Sequence, residues 1–569
     1  MSPRLSRIAT FAVLTLTGCA VEERPGASDE AASSTVHYDL IIEGGWIVDG
    51  TGNAAYPGDV AVLGDRIATV TAPGMLAEAV AATRIDANGR IVAPGFIDIQ
   101  SHSRGSFVGD GDGRVVSKVT MGVTTEIMGE STSNGPVTDS VLVQAGEDAG
   151  RTVFSTFGDW MEAMEEHGAS VNFGSFVGAT TIRIYGMGHD MGAAGPEQLE
   201  RMREAVRESM EDGAFGIGSA LIYPPGNFAS TEELVAINEA AAPYGGVYIT
   251  HLRSEADGLL EAMDEAIRIG VEAGVPVEIY HLKAAGRRNW HKAALAVAKI
   301  DSARAAGIDV QANMYPYTAG STGLTACFPP WASAGNRLME RLADPEERAR
   351  IREEMENPSG TWEDLCGLST PEGTLIVGLD KPENERYVGS YLSEIAADMG
   401  KDWIETAFDL VASEEQRVGT VYFMMSEENV AMQMAQEWMK FGTDAGGWDP
   451  EGATGLTHPR AYGTFSRILG RYAREEGVLS LEEAVRKMTS AVATRIGIRD
   501  RGLVVPGYFA DLVVFDPETV ADHATYTEPH QLSSGVDHVF VNGVAVVENG
   551  VHTDAMPGRP VRGRGWRGR

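Results

Sequence analysis

Residues 246–283 read GVYITHLRSEADGLLEAMDEAIRIGVEAGVPVEIYHLK. A run rich in β-branched and aromatic residues, Gly246–His251, leads into an amphipathic segment, Ala256–Ala273, and then into a second apolar run, Val275–His281. The outer runs have strand length and composition, and the middle carries its apolar residues at helical spacing. Strand, helix, strand in this compass is a βαβ unit, whose strands lie parallel. Both strands end on a histidine, and each histidine is followed two residues later by a cation, Arg253 or Lys283.

The same alternation extends outward in both directions. Further strand candidates are Ile91–Ile99, Val123–Met128, Val171–Val177, Ala214–Ala220, Ile308–Asn313 and Phe441–Asp444, with helical segments such as Glu197–Asp212 and Thr231–Ala242 between them. Eight strands in this α/β pattern predict a closed, TIM-like (β/α)8 barrel over 92–500. The stretch from about Phe328 to Trp438 is too long for one connection and holds its own helical run, Arg337–Glu356, so an insertion over the barrel mouth is expected at about 328–438. Outside the barrel, 37–91 and 501–557 carry short alternating strands with Gly, Asn and Pro turns. They predict one small β-sandwich domain built from both chain ends.

The chain has 569 residues and a formal charge of −35, with 43% hydrophobic and 22% charged residues. That size needs one large barrel with appendages or several domains. So acidic a surface argues against nucleic acid as a partner, because phosphate binding needs clustered Lys and Arg. At the start, Arg4 and Arg7 precede an apolar run, Ile8–Leu16, and then Leu16-Thr17-Gly18-Cys19. A charged region, a short apolar region and small residues form a secretory signal over 1–18. The Cys resembles that of a bacterial lipobox, which implies a lipid on Cys19, export to the periplasmic side of a membrane, and membrane contact through that lipid alone. Residues 19–36 read as a polar tether. Cys327 and Cys366 are the two remaining cysteines and are expected to be free thiols. The basic tail, 558–569, holds Arg559, Arg562, Arg564, Arg567 and Arg569 around Trp566 and reads as a disordered terminus.

Barrels of this kind place their chemistry at the C-terminal ends of the strands. There the sequence puts Gln100 and His102, Glu130, His251, His281 and Asp444. Imidazole and carboxylate are Zn²⁺ ligands, and a catalytic ion keeps one position for water. His251 and His281 are expected metal ligands, with Glu130 rather than Ser131 as the anionic third. His102 reaches either a metal or a substrate group. Asp444 is the expected general base, and Lys283, with Arg253 or Arg460, would hold a substrate carboxylate. His189 reads as surface, and His458 as structural.

The chain resembles the amidohydrolase superfamily, and within it the D-aminoacylase (N-acyl-D-amino-acid deacylase) family. The resemblance is carried by Ala93–Asp98, Gly122-Val123-Thr124-Thr125, Tyr223 with Pro225-Gly226, Thr250–Arg253, His281-Leu282-Lys283, Tyr315-Pro316-Tyr317, His458-Pro459-Arg460, Gly463-Thr464-Phe465, Pro506-Gly507 with Ala510–Asp516, and Val541-Asn542-Gly543. It implies a barrel carrying a β-sandwich, one or two zinc ions, and hydrolysis of an N-acyl amide. His251 and His281 match the family's zinc histidines and Asp444 its catalytic aspartate. Lys283 and a tyrosine of the pair Tyr315 and Tyr317 match positions that bind the amino acid's carboxylate, and Gln100 is expected beside the substrate.

Three positions depart from the family pattern. Gln100 stands where the family has the first His of His-x-His. Gly129-Glu130-Ser131 stands where it has a zinc-binding Cys. Ala179 lies where a His is often found. Losing a His and gaining a Glu resembles the N-acetylglucosamine-6-phosphate deacetylases, which implies a single ion held by Glu130, His251 and His281. Competing readings are a hydrolase of D-containing dipeptides, cyclic amides or lactones, and a non-catalytic surface binding lipoprotein.

Overall fold

The structure is a computed structural model, and it describes residues 37–138, 152–358, 360, 362–415 and 417–568. The expected signal segment, the lipidated Cys19 and the tether lie outside the described residues.

The opening βαβ unit folds as read. Val247–His251 and Val277–Ile279 are parallel neighbours, with Tyr248 beside Val277 and Thr250 beside Ile279. The helix between them, Leu259–Ala273, buries Leu259, Met263, Ala266 and Ile269 on one face. Leu259, Met263 and Ile269 each contribute about 1.5–3 kcal/mol when fully buried. The helix stops at Gly274, whose φ of +72° suits glycine. A Cβ on Gly270 would lie 2.1 Å from Val277 Cγ2, so glycine there sets how closely the helix approaches the sheet.

The barrel strands are β1 (Phe96–Asp98), β2 (Val123–Met128), β3 (Asn172–Ser175, continued by Val177–Gly178), β4 (Gly216–Ala220), β5 (Val247–His251), β6 (Val277–Ile279), β7 (Val310–Met314) and β8 (Met439–Phe441). They form a three-stranded and a six-stranded run that share the broken β3. The ring closes between β1 and β8 through a parallel bridge, Ser101 to Ala445, and the hydrogen bond from Asp444 N to Gln100 O (2.8 Å). The predicted strand Ile91–Ile99 divides in two: Ile91–Pro94 joins the flanking sheet, and Phe96–Asp98 enters the barrel. Gly95 marks the break, where a Cβ would lie 2.2 Å from the Thr124 side chain.

Both chain ends do build one sheet domain. Its nine strands include His37–Ile47, Tyr56–Leu63, Ile91–Pro94, Leu512–Phe515 and Val536–Val541. Leu40, Ile42, Val60, Val62, Val92, Leu512, Val514 and Phe540 from both ends meet in one core. The expected sandwich is thus one continuous hydrogen-bonded sheet.

The insertion over the barrel begins at Ala319, earlier than expected. It has its own antiparallel sheet (Ala319–Gly323, Gly419–Phe423 and Thr374–Gly378) and its own core, including Leu324, Phe328, Ile351, Ile395 and Phe408. Cys327 and Cys366 are joined in a disulfide inside this lid. This corrects the expectation of free thiols: residues 39 apart in sequence become neighbours only once the lid core forms. The basic tail is also ordered against expectation. Gly558 N, Val561 N and Gly563 N donate to Ala169 O, Phe173 O and Gly213 O at 2.7–2.8 Å, and Val561 enters the core at the N-terminal end of the barrel. Arg559 pairs with Asp65, Arg567 pairs with Glu211, and Arg562 donates to the carbonyl of Asp212. Among the described residues, no helix is long and apolar enough to cross a membrane.

Candidate active site

The strand ends open into a cavity of about 520 Å³ roofed by the lid. His251 is the last residue of β5, and His281 stands two residues beyond β6. Glu130 leaves β2 after Gly129, where φ is +102° and a Cβ would lie 2.1 Å from Phe176 O. Asp444 follows β8. His281, Asp444 and Ser131 all have left-handed backbones, with φ of 32°, 51° and 62°. Side chains other than Gly adopt this region at a cost, which concentrates at functional sites.

Three ligand atoms converge: Glu130 Oε1, His251 Nδ1 and His281 Nε2. His251 Nδ1 lies 2.9 Å from His281 Nε2. Glu130 Oε1 lies 3.5 Å from the former and 3.4 Å from the latter. Zinc–nitrogen bonds of about 2.0–2.1 Å in a tetrahedron give edges of about 3.3 Å, so the three atoms are spaced to share one ion. Ser131 does not compete for it, because its hydroxyl lies 3.0 Å from Thr180 Oγ1. Burial would raise the Glu130 pKa, but His102, His251 and His281 hold it well below the ordinary carboxylate range.

A second group adjoins the first. His102 Nε2 lies 2.9 Å from Asp444 Oδ1 and 3.4 Å from Glu130 Oε2. Glu130 therefore presents one oxygen to each group. Arg460 lies 2.6 Å from the other Asp444 oxygen. Burial alone would lift the Asp444 pKa, but Arg460 and His281 outweigh it and keep the carboxylate ionised. For His102, burial opposes charge, yet the bonds to Asp444 and Glu130 raise its pKa above the usual imidazole value.

The groups behind these atoms set their orientation. Glu255 Oε1 lies 2.9 Å from His281 Nδ1, and both Glu255 oxygens accept from Lys283 Nζ at 2.7 and 2.8 Å. Lys283 Nζ is also 2.7 Å from His281 Nδ1. The Lys283 ammonium can only donate and so opposes a proton on Nδ1; Glu255, an acceptor for both groups, is what favours that proton and leaves Nε2 with a lone pair toward the ion. Beneath Asp444 lies a fully buried network. Lys118 Nζ contacts Asp98 Oδ2 (2.7 Å), Glu126 Oε1 (3.1 Å) and Thr443 Oγ1 (2.6 Å). Asp98 accepts from Thr443 N and Gln100 N. The ends of β1 and β8 are thereby locked in register.

Glu130, His251, His281, His102, Asp444, Lys283, Tyr315 and Arg460 all line this one cavity. Three expected substrate contacts lie elsewhere. Arg253 turns outward: its guanidinium makes two bonds to Glu265 (2.8 and 2.9 Å) and reaches the carbonyls of Asn227 and Ala229. Tyr317 donates to Asp522 (3.1 Å) and packs against His458. Gln100 is 1% exposed and donates to Glu130 Oε2 at 2.6 Å, so it positions the glutamate from behind. His458 is structural as read: its Nε2 faces Ala319 O, its Nδ1 accepts from Arg460 N, and burial holds it neutral. His189 is exposed.

Sequence reading missed Glu255, Lys118 and the wall residues Arg104 and Arg417, and it marked Tyr223 as a matching position without giving it a role. One signal was available for Lys118, a lone cation in the apolar run Val115–Val119, which must find a buried counter-charge. Tyr223 packs its ring 5.5 Å from that of His251.

A closed barrel whose strand ends gather two histidines and a carboxylate around one point, with a buried aspartate alongside, is the architecture of a metal-dependent hydrolase. Comparison with known proteins agrees. The family model described as "Amidohydrolase family" matches residues 389–547. The D-aminoacylase of Alcaligenes xylosoxydans xylosoxydans is 35% identical over 535 residues, which is 93% of this chain and 98% of that protein. The N-acyl-D-glutamate deacylase of the same organism is 34% identical over 92% of this chain and 96% of its own length. A crystal structure of the Bordetella bronchiseptica N-acyl-D-glutamate deacylase, complexed with zinc and a phosphonate mimic of the tetrahedral intermediate, aligns with a TM-score of 0.76 at 31% identity, covering 93% of this chain and all of that one. The chain belongs to the D-aminoacylase family of amidohydrolases.

Proposed function

We propose that this protein is a zinc-dependent deacylase that hydrolyses the amide of N-acyl-D-amino acids. The observation that carries the reading is the convergence of Glu130 Oε1, His251 Nδ1 and His281 Nε2 beside Asp444. An ion held there supplies Lewis acidity, polarising the amide carbonyl and lowering the pKa of water to about 7. Asp444 Oδ1 accepts the water proton and returns it to the leaving amine nitrogen, yielding carboxylate and free amine. His102 and Arg460, one on each Asp444 oxygen, hold that carboxylate in place. Lys283 and Arg460, with the Tyr315 ring 4.6 Å from the Arg460 guanidinium carbon, form the side of the cavity suited to a substrate carboxylate. The D configuration is supported by the activities named for the relatives, a D-aminoacylase and an N-acyl-D-glutamate deacylase. Glu130, His251 and His281 make the primary zinc site. The His102, Glu130 and Asp444 group offers a second one.

The test is zinc content measured together with turnover of N-acetyl-D- and N-acetyl-L-amino acids. Asp444→Asn should keep zinc and lose about 10²- to 10⁴-fold in kcat. A protein that binds no zinc, or an unaffected variant, overturns the reading.

We further infer an exported lipoprotein held by a lipid on Cys19, facing the periplasm. The charged and apolar leader with Leu16-Thr17-Gly18-Cys19 supports this, and so does the lid disulfide, since disulfides persist in oxidising compartments. Cys19→Ala should move the protein from the membrane to the soluble fraction; membrane retention would refute the anchor.

A further inference from the structure

The cavity's charges do not balance. Its carboxylates are Glu130, Glu255 and Asp444, and its cations are Lys283, Arg460, Arg104 and Arg417. Lys283 is matched by Glu255 and Arg460 by Asp444. Arg104, on the turn after β1, bonds to the Thr132 hydroxyl, and neither it nor Arg417 has a carboxylate partner among the described residues. The two stand on different walls: Arg104 comes from the barrel, and Arg417 from the lid just before its strand Gly419–Phe423. Arg104 is half-buried and Arg417 is exposed, and both line the one cavity. In a chain of net charge −35, two arginines that line one cavity without a carboxylate partner make that part of it suited to an anion.

We propose that Arg104 and Arg417 bind a second anionic group on the substrate, a carboxylate separate from the one held at Lys283 and Arg460. This rests on the deacylase reading. The group belongs either to the amino-acid side chain or to the acyl arm. Guanidinium–carboxylate pairing is bidentate and charge-assisted, which makes the two arginines specificity-determining residues rather than participants in bond cleavage.

The experiment compares kcat/KM of the zinc-loaded, full chain for two matched pairs. N-acetyl-D-glutamate against N-acetyl-D-glutamine tests the side chain. N-succinyl-D-alanine against N-butanoyl-D-alanine tests the acyl arm. The wild type should prefer the anionic member of one pair by ~10-fold or more. In Arg104→Gln and in Arg417→Gln that ratio should collapse toward one, mainly through KM, while Arg417→Lys, which keeps the charge but not the guanidinium fork, should retain only part of it. Ratios near one for both pairs, or a ratio unmoved by either Gln variant, overturn the proposal while leaving the deacylase reading intact. Failure of the zinc-loaded protein to cleave any N-acyl amino acid overturns both.

Discussion

Replacing Glu255 by Gln tests how the primary site is held. Glu255 accepts from Lys283 at 2.7 and 2.8 Å and lies 2.9 Å from His281 Nδ1. Burial would raise its pKa, but His251, Lys283 and His281 outweigh this and keep it ionised. As a pure acceptor, the carboxylate favours the proton of His281 on Nδ1 against the nearby Lys283 ammonium, and so leaves Nε2 free as a ligand. A glutamine in the same place can turn its NH₂ toward Nδ1, which favours the tautomer with its proton on Nε2, and it leaves the Lys283 charge uncompensated. Loss of such a supporting carboxylate typically costs 10–100-fold in metal affinity, or about 1.4–2.7 kcal/mol. The zinc dissociation constant, measured by competition with a chromophoric chelator, should weaken by that factor in Glu255→Gln. At saturating zinc, much of the activity should return. A zinc affinity within about threefold of wild type, below the range expected for a supporting carboxylate, would refute the assignment of Glu255 as the group that orients His281.

Other perturbations reach different layers of the same architecture. Lys118→Met leaves Asp98 and Glu126 buried without their cation, and should cost about 3–5 kcal/mol of stability, read as a lower denaturant midpoint. Cys366→Ser opens a loop closed across 39 residues, and in the chain-entropy model should remove roughly 4 kcal/mol from the lid, seen as a lower Tm that reductant no longer shifts. Glu363 has its pKa pushed up to about 7 by burial and by Glu255. The native state therefore holds a proton that the unfolded chain has lost between the ordinary glutamate pKa and about 7, and stability falls as pH rises through that window. Glu363→Gln should flatten the fall, measured as urea midpoints at pH 5 and pH 8.

The barrel, the two-ended sheet domain and the residues at the strand ends were legible because they follow from period and position. An apolar run of strand length, repeated with helices between, leaves few topologies, and in a parallel barrel every strand delivers its C-terminal residue to one rim. His251, His281, Glu130 and Asp444 needed nothing more than that to be placed together. Side-chain direction beyond the strand ends was not legible. Arg253 and Lys283 hold equivalent positions, two residues after a histidine, yet Arg253 finds Glu265 outside while Lys283 finds Glu255 inside. The choice rests on which carboxylate the neighbouring helix or loop presents, and that is a contact between separate elements. The same holds for Gln100, which reads as a substrate contact until Glu130 is seen in front of it, and for the tail, whose arginines look unemployed until Asp65 and Glu211 come within reach. Periodic burial, a local property, was written along the chain. The pairing of charges and of the two lid cysteines is long-range, and it was decided only when packing brought distant residues to hydrogen-bonding distance.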